Sequence, residues 1–178
     1  MRVDPIRNKK EIERIKRYLK SHEDRRLYPM FMIGLNTGLR ISDILPLKVK
    51  DVEGSYIYVK EKKTGKYNKI IINNSLRNCL DDYIEDKYRN DYLFPSQKGG
   101  YIKTTQAYRL LTNVFKKCRI RGNTGCHTLR KTHAFMLAQN NPIEIVQRAL
   151  NHSSQRETLR YIGLEQEQMD KVIFDLNL

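Results

Sequence analysis

Cysteines are few in this sequence, and nothing in their arrangement indicates that they act together. Cys79, Cys118 and Cys126 are odd in number and widely spaced, and no CxxC motif occurs. Disulfide scaffolds need an even number of paired cysteines, and common zinc sites show short, regular Cys and His spacings. The sequence therefore predicts reduced thiols in the core or at the surface and no disulfide framework.

Long apolar runs are absent as well. No stretch approaches the length of about 20 apolar residues that a transmembrane helix needs. The N-terminal stretch "MRVDPIRNKKEIERIKRYL" has no apolar core of the kind found in signal peptides. A content of 39% apolar and 30% charged residues is ordinary for a soluble globular protein. These features predict a protein that is made and kept in the cytoplasm.

Acidic residues are scarce relative to basic ones. Lys and Arg number 34 against 20 Asp and Glu, which gives a formal net charge of +14. The basic residues are spread along the chain and do not form a Lys/Arg-only tail, so a folded surface would carry the charge. Such an excess favours a polyanionic partner, most often nucleic acid. The alternative is a basic protein that has no such partner.

Apolar periodicity predicts a single, mostly α domain over residues 1–178, of α+β class, with one small antiparallel sheet. The change of period in "GSYIYVKEKKTGKYNKIIIN" predicts a β-hairpin with a basic tip around Gly65. Helices are predicted on both sides of it. Arg40 is expected inside a short helix that ends before Pro46. The predicted helix caps are Asp24, Ser75, and Thr104 or Thr105.

Polar residues that could take part in catalysis or ligand binding recur in apolar surroundings. Arg40 lies between Leu39 and Ile41, and "HTLRKTH", "LNHSS" and "TLRYIG" contribute four more residues, namely His127, Arg130, His152 and Tyr161. Two arginines and two histidines suit a phosphate, because arginine grips phosphate oxygens as a bidentate fork. Cationic neighbours would lower the pKa of a tyrosine and stabilise developing charge on phosphoryl oxygens. This set suggests phosphoryl transfer to tyrosine on a polyanion.

Each residue of this set has a structural alternative when taken alone. Arg40 could be an exposed helix arginine, and His127 and His152 could lie at helix ends. Tyr161 is one of 11 tyrosines. A zinc site built from Cys126, His127, His133 and His152 is another alternative, although its spacing matches no common ligand pattern.

The joint pattern resembles the tyrosine recombinase, or phage integrase, family. "TGLRISDILPL" is similar to the family's first box, with its arginine at Arg40. "HTLRKTHAFMLAQ" is similar to the second box, with its histidine and arginine at His127 and Arg130. "ALNHSS" followed by "TLRYI" is similar to the third, with its histidine at His152 and its nucleophile at Tyr161. "KEKKTGK" resembles the family's β-hairpin and aligns its catalytic lysine with Lys63.

The resemblance implies a DNA-cleaving and rejoining enzyme that needs no metal or nucleotide cofactor. Tyrosine would attack a DNA phosphate and form a 3′-phosphotyrosine, with the arginines on the non-bridging oxygens and Lys63 as general acid. His127 would serve in proton transfer involving the tyrosine, and His152 would hydrogen-bond the phosphate. Lys62, Lys66 and Lys131 are predicted DNA contacts. The protein would be nucleoid-associated when it is bound to double-stranded DNA.

Family members usually carry a core-binding domain ahead of the first box, and here that box begins near residue 37. The sequence is therefore expected to comprise a catalytic domain without a core-binding domain. The last segment, "MDKVIFDL", is apolar at Val172, Ile173, Phe174 and Leu176. It would dock on a neighbouring protomer as a dimer or tetramer forms on DNA, or pack on its own domain. The competing functions are a non-catalytic DNA-binding regulator on the same fold and an unrelated RNA-binding or scaffolding protein.

Overall fold

The structure is a computed structural model that describes residues 3–162 and 173–176. Eight helices and one two-stranded sheet follow one another in the described part, with a 3-10 helix at Val49–Asp51. In chain order the elements are α1 (Lys9–Lys20), α2 (Leu27–Thr37), α3 (Ile41–Ile44), β1 (Tyr56–Lys60), β2 (Tyr67–Ile71), α4 (Asn74–Ile84), α5 (Thr104–Lys117), α6 (Cys126–Ala138), α7 (Ile143–Ala149) and α8 (Gln155–Ile162). This is the mostly helical architecture with one hairpin that the periodicity predicts.

Helix α2 is the centre of the main hydrophobic core. Its sequence "LYPMFMIGLNT" is apolar on nearly all sides, and Met30, Phe31 and Ile33 have no exposed surface. A helix that is apolar all round must be covered all round. Helices α4 and α6 pack against it, as do α1 and α5. The end of α2 is consequently held on several sides, and the chain leaves it toward Arg40.

The hairpin is an antiparallel pair of five-residue strands in which Tyr58 faces Lys69 and Lys60 faces Tyr67. Ile57 is fully buried in the main core, whereas Tyr58 and Tyr67 are exposed. This alternation follows from the two-residue period of a strand. One face of the hairpin is therefore fastened to the core, and the turn of residues 61–66 projects from a fixed base.

A second, smaller core lies under the last helices. Its buried members are Ala134 of α6, Val146 and Leu150 at α7, and Ile162 of α8. Tyr161 packs against this cluster. Helix α7 contacts both α6 and α8. The two helices that follow α6 thus share a satellite core that is separate from the one around α2.

Several predicted helix starts are wrong by a few residues. Arg40 is the extended N-cap residue of α3, with φ −70° and ψ 146°, and is not inside the helix. Asn73, not Ser75, caps α4, and its side chain accepts a hydrogen bond from the Leu76 amide at 2.9 Å. Capping side chains must lie just outside the first turn, and the sequence offers Asn73, Asn74 and Ser75 in succession, which leaves the choice open at that level.

The other two predicted caps also differ. Helix α5 starts at Thr104 itself, after Lys103. Asp24 lies two residues ahead of Arg26, the residue that precedes α2, and accepts hydrogen bonds from the Arg26 backbone and side chain. It therefore orders the turn before α2 and does not cap the helix directly.

The predicted C-terminal docking segment falls partly outside the described residues. Val172 belongs to the part not described, whereas Ile173, Phe174 and Leu176 are exposed by 60%, 81% and 53%. Among the described helices none combines the length and the apolarity needed to span a bilayer.

Gly38 ends α2 in the left-handed conformation, with φ +64°, and a Cβ there would lie 2.6 Å from Cδ2 of His133. Gly65, in the hairpin turn, has φ +68° and open space where its Cβ would lie. Alanine at either site should cost about 1 kcal/mol of backbone strain. Gly38→Ala should cost about 2 kcal/mol more, because the His133 ring must move in a packed interior. Urea unfolding of both variants measures the difference, and equal losses would contradict the steric argument.

Candidate active site

Arg40 points inward from the start of α3 and is paired with a buried carboxylate. Its guanidinium Nη1 donates a hydrogen bond to Oε2 of Glu61, the residue that follows strand β1. The Arg40 side chain is 13% exposed and that of Glu61 is fully buried. A buried charge is costly unless it is paired and hydrogen-bonded. This pairing explains how an arginine is tolerated between Leu39 and Ile41.

Glu61 also connects the hairpin turn to the loop after α7. Its Oε1 accepts a hydrogen bond from Asn151 Nδ2 at 3.1 Å, and its Oε2 accepts one from the Thr64 hydroxyl at 3.2 Å. Burial raises the pKa of Glu61, but the bonds from Asn151 and Arg40 outweigh burial, and the pKa lies below its usual value. The carboxylate therefore stays ionised and holds three chain segments together.

The turn lysines are fastened to the same surroundings. The Lys62 amide donates to Oδ1 of buried Asp43 at 3.0 Å, and the Lys62 ammonium donates to the Tyr101 hydroxyl at 3.1 Å. The Lys66 ammonium lies 3.4 Å from the backbone oxygen of Asn151. The Lys66 side chain is thus directed toward Asn151 at the site, whereas the Lys62 ammonium is held by Tyr101.

Arg130 is almost completely buried on α6 and is held by backbone oxygens. Its Nη1 donates to the Gly38 carbonyl at 2.7 Å, and its Nη2 donates to the Leu150 carbonyl at 2.6 Å. Burial and the nearby positive charge of Arg40 lower the pKa of this guanidinium. The two carbonyls lie at the ends of α2 and α7, so Arg130 joins both cores at the site.

His127 precedes Arg130 by three residues on α6 and is more exposed. Desolvation of its ring lowers the pKa of His127, and the positive charges of Arg130, Arg40 and Lys63 lower it further. These charges act on His127 from α6, the start of α3 and the hairpin turn. Lys63 is exposed in that turn. The imidazole is therefore neutral at pH 7 and able to accept a proton.

His152 and Tyr161 form a packed pair at the satellite core. Their ring centroids are 5.2 Å apart in an edge-to-face arrangement. His152 Nδ1 is 3.0 Å from the hydroxyl of Thr158, a fully buried residue of α8. Burial lowers the pKa of His152 to about 4. The ring is accordingly neutral, and its orientation is set by α8, the helix that carries the tyrosine.

The Tyr161 hydroxyl is buried, and no described residue meets strict hydrogen-bond geometry with it, although the Arg130 side chain is near enough to act on it as a donor. Buried hydroxyls are normally paired, and an unpaired one in a native structure calls for an explanation. Burial raises the pKa of this phenol, while Arg130 and Arg40 act in the opposite direction. The ammonium of Lys131, a residue 7% exposed, lies 5.4 Å from the centroid of the Tyr161 ring.

The structure thus gathers the six predicted catalytic residues around one place, and their catalytic roles remain predictions. The predicted DNA contacts differ in accessibility, since Lys62 and Lys66 are at the turn surface whereas Lys131 is buried. Within the described residues no group of three His, Cys, Asp or Glu side chains could hold a metal ion. The alternative zinc site is therefore not formed.

Sequence reasoning missed three polar residues at the site: Asp43, Glu61 and Asn151. Each lies within a few residues of a predicted site residue, but a carboxylate in a turn or short helix is usually a surface group. Asn151 adopts φ 56°, a left-handed conformation that asparagine tolerates better than most residues. An asparagine directly before His152 is a signal that the sequence does contain.

The buried, neutral His152 should make stability depend on pH. An unfolded histidine binds its proton near pH 6.5, but the folded ring resists protonation down to about pH 4. The unfolded state therefore binds more protons in this window, and stability falls as pH drops from about 6.5 to about 4. The full effect is about 3 kcal/mol. Urea unfolding of wild type and His152→Gln across this range isolates it. Parallel pH profiles would refute the assignment.

Removing the charge of buried Glu61 should reduce folding stability far more than removing the charge of a glutamate in an exposed ion pair. Glu61→Gln leaves the largely buried Arg40 without its counter-charge, which typically costs about 3 kcal/mol. Glu53 pairs with Arg89, whose side chain is 75% exposed, and is the matched control. Glu53→Gln should cost under about 1 kcal/mol. Chemical denaturation of both variants checks this, and comparable losses would count against the buried-pair argument.

Comparison with known proteins identifies the family. The model of the phage integrase family matches residues 7–168. A relative described as a probable integrase/recombinase YoeC, from Bacillus subtilis (strain 168), is 42% identical over 168 residues, which cover 93% of this chain and 92% of that protein. A tyrosine recombinase of Pseudothermotoga lettingae is 32% identical over 186 residues, which cover 96% of this chain but 64% of that protein.

Solved structures share the fold. The crystal structure of XerA recombinase superposes with a TM-score of 0.78 at 25% identity and covers 98% of this chain and 66% of that one. The structure of a lambda integrase dimer bound to a COC′ core site has a TM-score of 0.73 at 19% identity and covers 91% and 60%. The predicted mostly helical fold with a small hairpin is confirmed. The family match and the YoeC relative together show that this chain belongs to the phage integrase family.

Proposed function

We propose that this chain is a tyrosine-type site-specific DNA recombinase that cleaves and rejoins DNA through a 3′-phosphotyrosine intermediate, in DNA integration or recombination. The observation that carries this proposal is the buried hydroxyl of Tyr161, which has no hydrogen-bond partner within the described part of the chain, next to His152 and two inward arginines. An unsatisfied nucleophile beside cationic groups suits attack on a phosphate. Membership of the family supports the same conclusion.

The proposed step is a transesterification in which atoms and charge balance. The Tyr161 oxygen loses its proton and forms a bond to phosphorus, the bond from phosphorus to the 5′-oxygen breaks, and that oxygen gains a proton. Arg40 and Arg130 bind the non-bridging oxygens, where negative charge accumulates in the transition state. The reverse reaction with a new 5′-hydroxyl rejoins the strand, because the tyrosine ester stores the bond energy.

Each histidine has a proposed role that fits its protonation state. His127 is neutral at pH 7 and partly accessible, so it can take the proton of Tyr161. His152 is neutral, and in its proposed tautomer Nδ1 accepts from the Thr158 hydroxyl, so that the ring proton is on Nε2 and can be donated to the phosphate. The proposed general acid is Lys63, whose positive charge helps to lower the pKa of His127.

The proposed partner is double-stranded DNA, on which two or more copies assemble. The net charge of +14 favours binding to a polyanion, and contacts to phosphates give affinity that falls steeply with salt. The lambda integrase of similar fold is a dimer on its core site. The exposed apolar residues Ile173 and Phe174 are a candidate contact between copies. Such an enzyme would work in the cytoplasm, at the nucleoid.

The nucleophile is tested by covalent capture. Wild-type protein incubated with a nicked or half-site DNA duplex should form an adduct stable on a denaturing gel, and mass mapping should place it on Tyr161. Tyr161→Phe removes one oxygen and should abolish the adduct while leaving DNA affinity unchanged. Arg40→Ala should slow adduct formation by about 100-fold to 1,000-fold. An adduct on Tyr101 or Tyr108 would show a different nucleophile, and no adduct on any substrate would favour a non-catalytic DNA-binding regulator.

The general acid is tested with two leaving groups. Lys63→Ala should slow cleavage of a normal 5′-oxygen substrate by about 100-fold, since a well-placed acid contributes that much or more. A substrate with sulfur at the bridging 5′ position needs no proton on its leaving group, so its cleavage should be nearly unaffected. Lys62→Ala and Lys66→Ala are the matched controls from the same turn. Equal slowing of both substrates by Lys63→Ala would remove it from this role.

A further inference from the structure

Lys131 occupies a position that is unusual for a lysine. It lies on α6 directly after Arg130, and only 7% of its surface is exposed, although lysine is almost never buried without a reason. Its ammonium lies 5.4 Å from the centroid of the Tyr161 ring, which comes from α8. A contact of this kind between a cation and an aromatic face is attractive, and it strengthens when both groups are removed from water.

Positively charged side chains from several elements surround Tyr161. Arg130 and Lys131 approach it from α6, Arg40 acts on it from the start of α3, and the neutral ring of His152 packs at its edge. Arg40 also bonds to Glu61, and Arg130 also bonds to the carbonyls of Gly38 and Leu150. Lys131 is the cation for which the structure gives a direct contact with the ring of the tyrosine.

We propose that Lys131 is a positioning residue for the nucleophile, whose buried ammonium holds the Tyr161 ring and stabilises the phenolate that forms as the tyrosine attacks. The inference rests on the proposed function of Tyr161. It gives Lys131 a role distinct from that of a lysine that binds a DNA phosphate.

The physical basis is a difference between the two charge states of the ring. A neutral phenol attracts a cation through its quadrupole, whereas a phenolate carries a full negative charge that is partly delocalised onto the same ring. The ammonium therefore stabilises the phenolate more than the phenol. Only interactions that grow between ground state and transition state accelerate a reaction. The burial of Tyr161 makes this contribution necessary, because burial alone opposes ionisation of the phenol.

Three variants test the proposal in the intact 178-residue chain. Lys131→Met keeps the length and apolar stem of the side chain but removes the charge, Lys131→Arg keeps the charge, and Tyr161→Phe identifies the signal of the nucleophile. Tyrosine labelled with ¹³C at Cζ is titrated by NMR, and the resonance missing in Tyr161→Phe belongs to Tyr161. Adduct formation on a half-site duplex is timed in parallel, and DNA binding is measured over a range of salt.

In Lys131→Met the Tyr161 resonance should titrate at a higher pH than in wild type, and adduct formation should be about tenfold slower. Lys131→Arg should restore most of both. The slope of log binding constant against log salt should stay unchanged, whereas loss of a phosphate contact lowers it by about one. Because the titration is measured on free protein, it does not depend on activity.

An unchanged titration of Tyr161 in folded Lys131→Met overturns the inference, whatever happens to the salt slope. A shifted titration with unchanged adduct kinetics overturns the part that concerns phenolate stabilisation during attack. Absence of any adduct in wild type would instead reject the proposed function, so the two failures are distinguishable. A urea melt confirms that each variant is folded, and Lys131→Gln, which also removes the charge, takes the place of Lys131→Met if that variant does not fold.

Discussion

The carboxylate of Glu61 has no exposed surface and is bonded to the guanidinium of Arg40, and three segments of the chain meet at this pair. Several positive side chains converge nearby. Two like charges 5 Å apart repel by roughly 3 kcal/mol at an effective dielectric constant of 20. A counter-charge inside the cluster offsets part of this repulsion. Glu61 supplies it while also bonding Asn151 and Thr64, so the same group balances charge and sets geometry.

The way in which the arginines are held leaves them able to bind a phosphate. A guanidinium has five N–H donors in a fixed plane. The bonds described above use one nitrogen of Arg40 and two of Arg130. Rigid partners fix the plane of each guanidinium and so orient the donors that remain. Such preorganisation reduces the reorganisation needed when charge develops on a substrate. Burying charged groups would be costly in an ordinary core, but at this site their fixed partners keep the guanidinium groups oriented.

Features that depend on local interactions could be predicted from the sequence, and features that depend on long-range contacts could not. The hairpin and the helices depend on local periodicity, and the residues of the three boxes are recognisable by their resemblance to the family, so the presence of both was predictable. The position of Arg40 at a helix N-cap was not, because the chain between Gly38 and α3 is also fixed by distant contacts, including the bond from Arg130 of α6 to the Gly38 carbonyl. The Glu61–Asn151 bond joins residues 90 positions apart, and no pattern within a window of sequence can predict it.

The burial of Lys131 is a second feature that the sequence alone does not predict. In "HTLRKTH" it is one more basic residue of a basic protein, and surface contact with DNA is the natural expectation. Its burial depends on where α8 packs. Helix α8 lies further along the chain and is positioned by the satellite core, to which it contributes Ile162. Net charge is a property of composition, whereas the accessibility of a particular charge is a property of tertiary packing.

The satellite core under α7 and α8 has a consequence for when Tyr161 is in place. Among the described residues, four buried side chains form it, against 31 in the main core, so detaching α8 should require less free energy than unfolding the whole domain. A chain that is still being synthesised, or one damaged by heat, would hence lack a positioned Tyr161 while the rest of the fold is intact. Of the six residues gathered at the site, Tyr161 would be the last to be placed and the first to be lost.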